Sequence, residues 1–438
     1  MTEILPLIFF IVVLALLLFG FPVAFTLGGA SVIFGLIMFG ADFFNLLPLR
    51  VYGIMSNYIL IAVPLFIFMG VMFEKSGLAE ELLETMALLF GKKRGGLAIS
   101  VLVVGTLLAA ATGIVGATVV TMGVLSLPTM LKKGYSPKVA TGVIASAGTL
   151  GQIIPPSIVL VLLGSVLNIS VGELFIAAVL PGFILVTGYL LWILLVAYKN
   201  PESMPPMPPE ELKEFRRGNT ANKIITAFII PFLLITAVLG SIFAGIASPT
   251  EAAAIGAFGA TILTIIKKRF TPAILKDVMK KTTTLTSMAF MILVGASAFG
   301  LVFRGMGGDR YLTNLIVGSN LDPYIFLFVV MLIIFVAGFF IDFIEITFII
   351  VPVVAPIFIH LGMDLVWIGI LIAVNLQTSF LTPPFGFSLF FLKGVAPPEI
   401  KTSDIYKGAI PYVVLQMAVL LIIAIFPEIS LWLPGLIG

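Results

Sequence analysis

Long apolar stretches, separated by short polar segments, run along nearly the whole chain. Crossing about 30 Å of hydrocarbon takes about 20 apolar residues in a helix. The pattern therefore predicts an all-α polytopic membrane protein. Complete spans are predicted near residues 4–20, 22–40, 51–73, 174–197, 223–246, 251–266, 282–303 and 408–435. Shorter apolar pieces, discussed next, occupy residues 95–131, 138–167, 323–360 and 365–393.

Two consecutive prolines occur twice inside apolar stretches, at Pro155-Pro156 and at Pro383-Pro384, 228 residues apart. Proline has no N–H and clashes with the carbonyl four residues earlier, so each pair predicts a broken helix, within 138–167 and within 365–393. Matching breaks in two halves are typical of secondary transporters. We predict a first repeat, 1–198, and a second repeat, 223–438, joined by a cytoplasmic linker, 199–222, rich in proline and charge.

The basic residues predict the orientation, because loops on the cytoplasmic side are enriched in Lys and Arg. With both termini in the periplasm, 21 of the 24 Lys and Arg face the cytoplasm and only Arg50, Arg304 and Arg310 face outward. Each half then crosses the membrane an odd number of times, so the second repeat is inverted. The short arms of 95–131 and 323–360 predict re-entrant hairpins, and two ordinary spans with a tight turn remain the alternative.

Oxygen atoms near the two breaks predict cation sites. Pro155 and Pro156 free the carbonyls of Gly151 and Gln152, and Pro383 with its neighbour frees those of Ser379 and Phe380. Unwound carbonyls attract Na⁺ in transporters. Nearby hydroxyls add further oxygen ligands in each half, on Thr112, Thr118, Thr149 and Ser157 and on Thr347, Thr378, Ser379 and Thr382. We therefore predict one oxygen-lined Na⁺ cage in each half.

Two carboxylates, Asp342 and Glu345, fall at the predicted tip of the second hairpin. An acid inside a span indicates function, because burying it without a partner is costly. A position at a wetted mouth would explain the same residues, and the sequence does not separate the two readings.

Composition excludes several classes of protein. Hydrophobic residues make up 60% of the chain and charged residues 10%, which excludes a soluble globular protein. The absence of cysteine excludes disulfides, and a single histidine excludes clustered His metal sites. No phosphate-binding loop, His-Glu-x-x-His or Gly-x-Ser-x-Gly pattern is present. We therefore expect neither an enzyme nor a partner for nucleic acid.

Residues 63–82, 112–158 and 351–395 resemble the large membrane subunit of the tripartite ATP-independent periplasmic (TRAP) transporters. The resemblance includes Gly134-Tyr135, Ile154-Pro155-Pro156-Ser157 and Thr382-Pro383-Pro384, and it covers essentially the whole chain. It implies Na⁺ ligands where the hairpin tips meet the broken helices, at Thr112, Gly113, Gly116, Ala117, Thr118, Gly148 and Gly151 and at Asp342, Glu345, Asn375, Thr378 and Thr382. The first tip commonly reads Ser-Gly-Ser in that family. Here Thr112-Gly113-Ile114-Val115-Gly116 stands instead, with fewer hydroxyls.

The resemblance also implies an elevator-type transporter in a bacterial inner membrane. It implies Na⁺ coupling, a separate small four-helix membrane subunit and a periplasmic substrate-binding protein. We therefore expect import of small organic anions, in particular carboxylates, with Na⁺ as the coupling ion. The alternatives are a stand-alone Na⁺-coupled dicarboxylate or citrate carrier and an ion channel. An intramembrane enzyme has little support, because no nucleophile lies beside a base.

Overall fold

The computed structural model describes residues 4–208, 224–318 and 322–437, and this part of the chain contains helices and turns but no β-strand. The all-α prediction is confirmed. The α-helices of residues 4–208 are α1 (Leu5–Leu18), α2 (Val23–Phe39), α3 (Leu47–Met55), α4 (Ala62–Lys75), α5 (Leu78–Phe90), α6 (Gly96–Thr112), α7 (Val115–Lys132), α8 (Pro137–Thr149), α9 (Ile158–Leu167) and α10 (Val171–Lys199). Those of the later residues are α11 (Ile230–Phe243), α12 (Pro249–Ile266), α13 (Pro272–Gly305), α14 (Gly308–Gly318), α15 (Pro323–Ala337), α16 (Phe343–Ile349), α17 (Val351–His360), α18 (Leu365–Leu381), α19 (Phe387–Val395), α20 (Thr402–Ile425), α21 (Glu428–Leu431) and α22 (Pro434–Ile437).

Several of these helices have the length and hydropathy of membrane spans. In the described residues, six are long and apolar enough to cross a bilayer, and the bent pair α16 and α17 makes a seventh. The bend is 51°. It follows from Pro352, which cannot donate to the carbonyl of Phe348 and clashes with it. The second arm of the hairpin predicted at 323–360 is therefore bent.

Three predicted boundaries are wrong. The span at 51–73 is two elements, because Asn57 starts a new helical turn by accepting a hydrogen bond from the Ile59 N–H (3.0 Å), after α3 has ended. The span at 282–303 begins ten residues earlier, at Pro272, with Thr271 as its N-cap. The last span, expected at 408–435, begins at Thr402 and ends at Ile425, before Pro427.

The two halves have the same order of elements around the proline pairs. A helical hairpin (α6 and α7; α15 to α17) is followed by a helix, a break and a short helix, and then by a long helix. The first break separates α8 from α9 and contains Pro155, and the second separates α18 from α19 and contains Pro383. Inversion of one repeat relative to the other stays a prediction.

The helices pack as two clusters. In the scaffold cluster, α4 packs on α12 and α13, and α2 packs on α13. In the hairpin cluster, α8 packs on α6, α7 and α20, while α18 packs on α15 and α20. The long helix α10 packs against α9, α18, α20 and α21, and α5 lies along α6. The clusters meet where α4 contacts α6 and where α13 contacts α16.

The start of the predicted linker is folded against the base of the first hairpin. The Gly95 N–H donates to the Met204 carbonyl (3.2 Å) and the Met207 N–H donates to the Gly91 carbonyl (2.9 Å). Tyr135 closes the same base, because its hydroxyl accepts a hydrogen bond from the Leu97 N–H (3.2 Å). Burial raises the pKa of the Tyr135 phenol, which therefore stays protonated at neutral pH. The rest of the predicted linker, 209–222, lies outside the described residues.

Candidate functional site

Both hairpin tips and both helix breaks meet at one cavity between the two clusters. This central cavity has a volume of about 250 Å³. The hairpin cluster contributes Ile114 to Gly116 from the first tip, Asp342 to Ile344 from the second tip, and residues on either side of the breaks, Ile158, Phe380, Phe387 and Phe391. The scaffold cluster supplies the opposite wall, from α4 and α13: Val63, Ile67, Leu285, Met288 and Ala289.

Three helices of nine or more residues begin at this cavity: α7 at Val115, α9 at Ile158 and α19 at Phe387. Neither α7 nor α19 has a side-chain cap on its first N–H groups. The first N–H groups of a helix have no intrahelical acceptor, and they carry the positive end of the helix dipole. The proline breaks and the hairpin turns are what create these helix starts at mid-chain. These helix starts bring positive dipole ends to the cavity, whose side-chain lining is apolar apart from Asp342.

The first tip contains a pair of hydroxyls. The Thr112 and Thr118 Oγ1 atoms lie 2.7 Å apart across the turn, and the Thr118 hydroxyl also lies 3.1 Å from the Ile114 carbonyl. Gly113 has a φ of +61°, which favours glycine at this turn. The two threonines predicted as ligands therefore do come together, although they already contact each other.

Glycines allow the first tip to lie directly on the first break. A Cβ on Gly148 would be 2.2 Å from Val119 of α7, and a Cβ on Gly151 would be 2.7 Å from the Ala109 carbonyl of α6. Gly113 packs in the same way against Ile158, and Gly116 against Phe391. The predicted glycine positions are therefore points of close backbone approach. Ala117 is half-buried and Pro155 is buried beside them.

One carbonyl predicted to be free has a protein partner. The Ser157 hydroxyl donates to the Gln152 carbonyl (2.7 Å), so satisfying this oxygen does not require an ion. Thr149 is also engaged, donating to the Ser146 carbonyl (2.8 Å). In contrast, both polar atoms of the Gln152 side chain are buried without a hydrogen bond to described residues. The unsatisfied group at the first break is thus this amide, which the sequence did not single out for its side chain.

At the second tip, Asp342 and Glu345 form a capping box at the start of α16. Asp342 Oδ1 accepts from the Phe343 N–H (2.7 Å), and Glu345 Oε2 accepts from the Asp342 N–H (3.0 Å). In the capping box the Glu345 N–H also donates to the Asp342 carboxylate. Both residues line a second space of about 620 Å³, the acid cavity, and Asp342 also lines the central cavity. A cation in either cavity could therefore reach the carboxylates of Asp342 and Glu345.

The polar residues of the second break face the hairpin instead. The Asn375 amide donates to the Met331 carbonyl of α15 (2.7 Å), and Ser379 lies under the turn at Gly338, where a Cβ would be 2.1 Å from its Oγ. The hydroxyls of Thr378, Ser379 and Thr382 donate to the carbonyls of Val374, Leu376 and Thr378.

The predicted second site therefore divides into two groups: the tip carboxylates beside the cavities, and a hairpin–helix interface. Pro383 is half-buried at the break. Thr347 is buried, and its hydroxyl has no partner in the described residues.

The available ligands suit a hard cation better than a soft transition metal. No cluster of three or more His, Cys, Asp or Glu residues occurs in the described ranges. Near the tips and the first break, the side-chain oxygens of Gln152 and Thr347 have no partner in the described residues, and the Asp342 and Glu345 carboxylates accept only backbone N–H groups. Oxygen ligands of this kind fit hard cations.

Sequence reasoning missed the scaffold wall and a polar network behind the breaks. The wall consists of apolar residues whose periodicity does not distinguish a cavity from packed helices. In the network, Gln416 Nε2 lies close to the Tyr189 hydroxyl (2.5 Å) and to Thr149 Oγ1 (3.3 Å), and Gln377 Nε2 lies 3.4 Å from the same Tyr189 hydroxyl. Polar residues within apolar stretches were the available signal.

Comparison with known proteins places these features in a family. Residues 10–429 match the family model described as "Tripartite ATP-independent periplasmic transporter, DctM component". A C4-dicarboxylate TRAP transporter large permease protein of Vibrio cholerae is 32% identical, over 98% of this chain and 97% of that protein. An ectoine/5-hydroxyectoine TRAP transporter large permease protein of Ruegeria pomeroyi is 30% identical, over 98% of both. The crystal structure of the Alcanivorax borkumensis YdaH transporter is similar in fold, with a TM-score of 0.61, 14% identity and 98% of each chain covered.

Proposed function

Because this chain belongs to the DctM component family and is a TRAP transporter large permease subunit, we propose that it moves small organic anions, in particular carboxylates, inward with Na⁺ as the coupling ion. The cargo is delivered by a periplasmic substrate-binding protein. A small four-helix membrane subunit completes the assembly in a bacterial inner membrane.

The observation that carries this proposal is the meeting of three helix N-termini at the central cavity. The uncapped N–H groups of α7 and α19 and the dipoles of all three helices attract an anion, as at the half-helices of other transporters. The lining has one ionisable side chain, Asp342, and no basic one. Binding of a cargo carboxylate therefore relies on backbone N–H groups. The negative charge of Asp342 repels the cargo.

Na⁺ removes that repulsion. A cation bound to the carboxylates of Asp342 and Glu345 neutralises their negative charge. An anion then binds in the central cavity more favourably. The first tip offers Thr112, Thr118 and the Gln152 amide for a second ion. Coupling follows in this scheme because cargo binds well only after the cation.

We also propose an elevator motion. The central cavity lies between the scaffold cluster and the hairpin cluster, with both tips and both breaks in the latter. Displacement of the hairpin cluster along the scaffold would carry the entire anion-binding wall. The residues left behind, such as Met288 and Ala289, are apolar and hold no cargo atom by a hydrogen bond.

Na⁺ binding is tested by thermal unfolding of the purified subunit in NaCl and in KCl at equal ionic strength. We expect a higher melting temperature in NaCl, since a ligand that binds only the folded state stabilises it. Asp342→Asn should remove most of the difference between the salts. Asp364→Asn is the matched control, because Asp364 also caps a helix (2.7 Å to the Val366 N–H) but lies away from the cavities. Equal melting temperatures of the wild type in both salts would contradict Na⁺ coupling.

Dependence on delivery is tested in proteoliposomes. Uptake driven by Na⁺ should require the small subunit and the binding protein together with this chain. Uptake by this chain alone would favour the stand-alone carrier, and large unitary currents would favour a channel.

A further inference from the structure

A third space, the arginine cavity, lies away from the hairpin tips and has a volume of about 380 Å³. It is bounded by α3, the end of α9, the last four turns of α13 and α17. Arg50 and Arg304 both line it. These are two of the three basic residues that the charge pattern places outside the cytoplasm.

The arginine cavity follows the central cavity along one face of α13. Leu285 and Ala289 line the central cavity, and Leu293, Ala296, Gly300 and Arg304 line the arginine cavity. Steps of three and four residues keep these positions on one stripe of a helix. Small side chains at Ala296, Ser297 and Gly300 leave open space there. Ala289 and Arg304 are 15 residues apart, or about 22 Å at 1.5 Å per residue.

The Arg304 side chain extends back along its helix and not away from it. A Cβ on Gly300 would lie 3.2 Å from Arg304 Nη2, so the guanidinium covers the preceding turn. Side chains on helices lean toward the N-terminus, and here that direction leads into the cavity. An arginine that merely snorkelled at the membrane surface would extend the other way.

The charge in this cavity is not balanced by ion pairs. Asp309 is the one acid of the lining. Within the described residues, neither Arg50 nor Arg304 has a carboxylate within 4 Å, since all ion pairs there join α4 or α5 to α12 or α13 near Lys75. Two guanidiniums against one carboxylate leave a net positive cavity with donors that are free to bind.

We propose that the arginine cavity is a second anion site, which holds a small carboxylate before it reaches the central cavity. Guanidinium groups bind carboxylates through paired, charge-assisted hydrogen bonds. The site rests on the proposed organic-anion cargo, and it supplies what the central cavity lacks, a basic side chain. Its volume admits a C4 dicarboxylate, and its position on the α13 stripe places the anion on the route from the predicted periplasmic side.

The absence of cysteine from the chain allows a direct test. A single Ser297→Cys, in the wall of the cavity, is treated with an anionic and with a cationic methanethiosulfonate reagent, using purified protein in detergent. We expect the anionic reagent to be favoured, and the ratio of the two rates to fall at least about tenfold when Arg50→Met and Arg304→Met are added. Arg310→Met is the matched control, because this arginine is exposed like the other two but lies outside the cavity lining; it should leave the ratio unchanged.

Succinate is then the probe for occupancy. It should slow modification of Ser297→Cys at millimolar concentration, whereas the neutral diamide of the same length should not, and the two Met substitutions should abolish protection. A rate ratio that is the same with and without the two arginines overturns the proposal. A ratio that falls when the arginines are replaced, without any protection by succinate, also overturns it and favours a docking surface for an acidic partner protein. Neither the rate ratio nor the protection by succinate depends on Na⁺ or on a delivery protein. Failure of this proposal can therefore be told apart from failure of the Na⁺ experiment above.

Discussion

Tyr189 and Tyr412 are two buried tyrosines in contact, and they differ in the hydrogen bonds that their hydroxyl groups make. Their rings meet edge to face at 5.0 Å in the hairpin cluster, and both side chains are buried. The Tyr189 hydroxyl accepts from the Gln416 amide and lies near that of Gln377. The Tyr412 hydroxyl has no hydrogen bond to the described residues. Similar burial thus accompanies very different hydrogen bonding.

Tyr189→Phe should therefore be far more destabilising than Tyr412→Phe. Removing the Tyr189 hydroxyl leaves the buried Gln377 amide without a partner and the Gln416 amide with Thr149 alone, which costs about 1–3 kcal/mol of unfolding free energy. Thermal unfolding followed by tryptophan fluorescence measures both variants under one condition. Equal melting temperatures for the two would show that the network does not stabilise the fold.

At the scale of single residues, the sequence predicted which polar residues lie near the tips and breaks. It predicted their hydrogen-bond partners less well. Thr112 and Thr118 meet as expected, because a two-residue turn brings the ends of α6 and α7 together. The donation from Ser157 to the Gln152 carbonyl was not predictable, since it depends on the path of the chain through the break. Likewise, Asp342 and Glu345 were placed at a tip, but their capping of α16 required the helix boundary.

The hairpins depend on glycine where they cross the broken helices. Gly148 of α8 faces Val119 of α7, and Gly338, at the second tip, faces Ser379 of α18. In both halves the hairpin backbone lies closer to the broken helix than a side chain would allow. The two hairpins are therefore fixed to their breaks by steric fit as well as by hydrogen bonds.

Gly148→Ala should destabilise the protein, although alanine favours helix. The added Cβ would lie 2.2 Å from Val119 Cγ2, and over-packing of this kind typically costs about 1–3 kcal/mol. Gly394→Ala is the matched control, because nothing lies within 4 Å of its Cβ position in α19. Urea or thermal unfolding should separate the two variants, and a neutral Gly148→Ala would mean that the hairpin relaxes freely.

The predicted boundaries agree with the structure at the two proline pairs. They are wrong where a helix cap or the continuation of a helix sets the boundary. Both breaks were predicted because two consecutive prolines remove two backbone donors from one turn, whereas the single prolines Pro181 and Pro411 lie inside continuous helices. The start of α13 was missed, because the charged residues before 282 suggested a separate surface segment. The division at Asn57 was missed because its cap interrupts an apolar stretch that otherwise has the length of a span.

The two clusters of helices are joined by few polar contacts. One links Asn57, before α4, to Ser165 of α9, with Nδ2 and Oγ 3.1 Å apart. Both residues also line the arginine cavity. Sequence periodicity identifies the helices but not the cluster to which each belongs, so this contact, 108 residues apart in the chain, was beyond prediction.

Cross-linking that contact should stop transport if the clusters move. Asn57→Cys with Ser165→Cys, joined by a short bifunctional thiol reagent, would hold α9 to the scaffold. We expect Na⁺-driven uptake by the complete system to fall to background when the cross-link is complete, and to recover when a reducible cross-link is cleaved. Each single cysteine variant should retain uptake before treatment. Undiminished uptake by the fully cross-linked protein would argue against an elevator.

The length of α13 bears on which cluster stays still. With 34 residues it is about 50 Å long, whereas the hydrocarbon layer is about 30 Å thick. Its first turns carry Lys276, Asp277, Lys280 and Lys281, and Asp277 is paired with Lys75 of α4 (2.9 Å). Pulling this helix outward would drag ammonium and carboxylate groups into lipid, while pushing it inward would submerge Arg304. Desolvation of these charges opposes both movements. In the proposed elevator motion we therefore expect α13 to stay in place and the hairpin cluster to move.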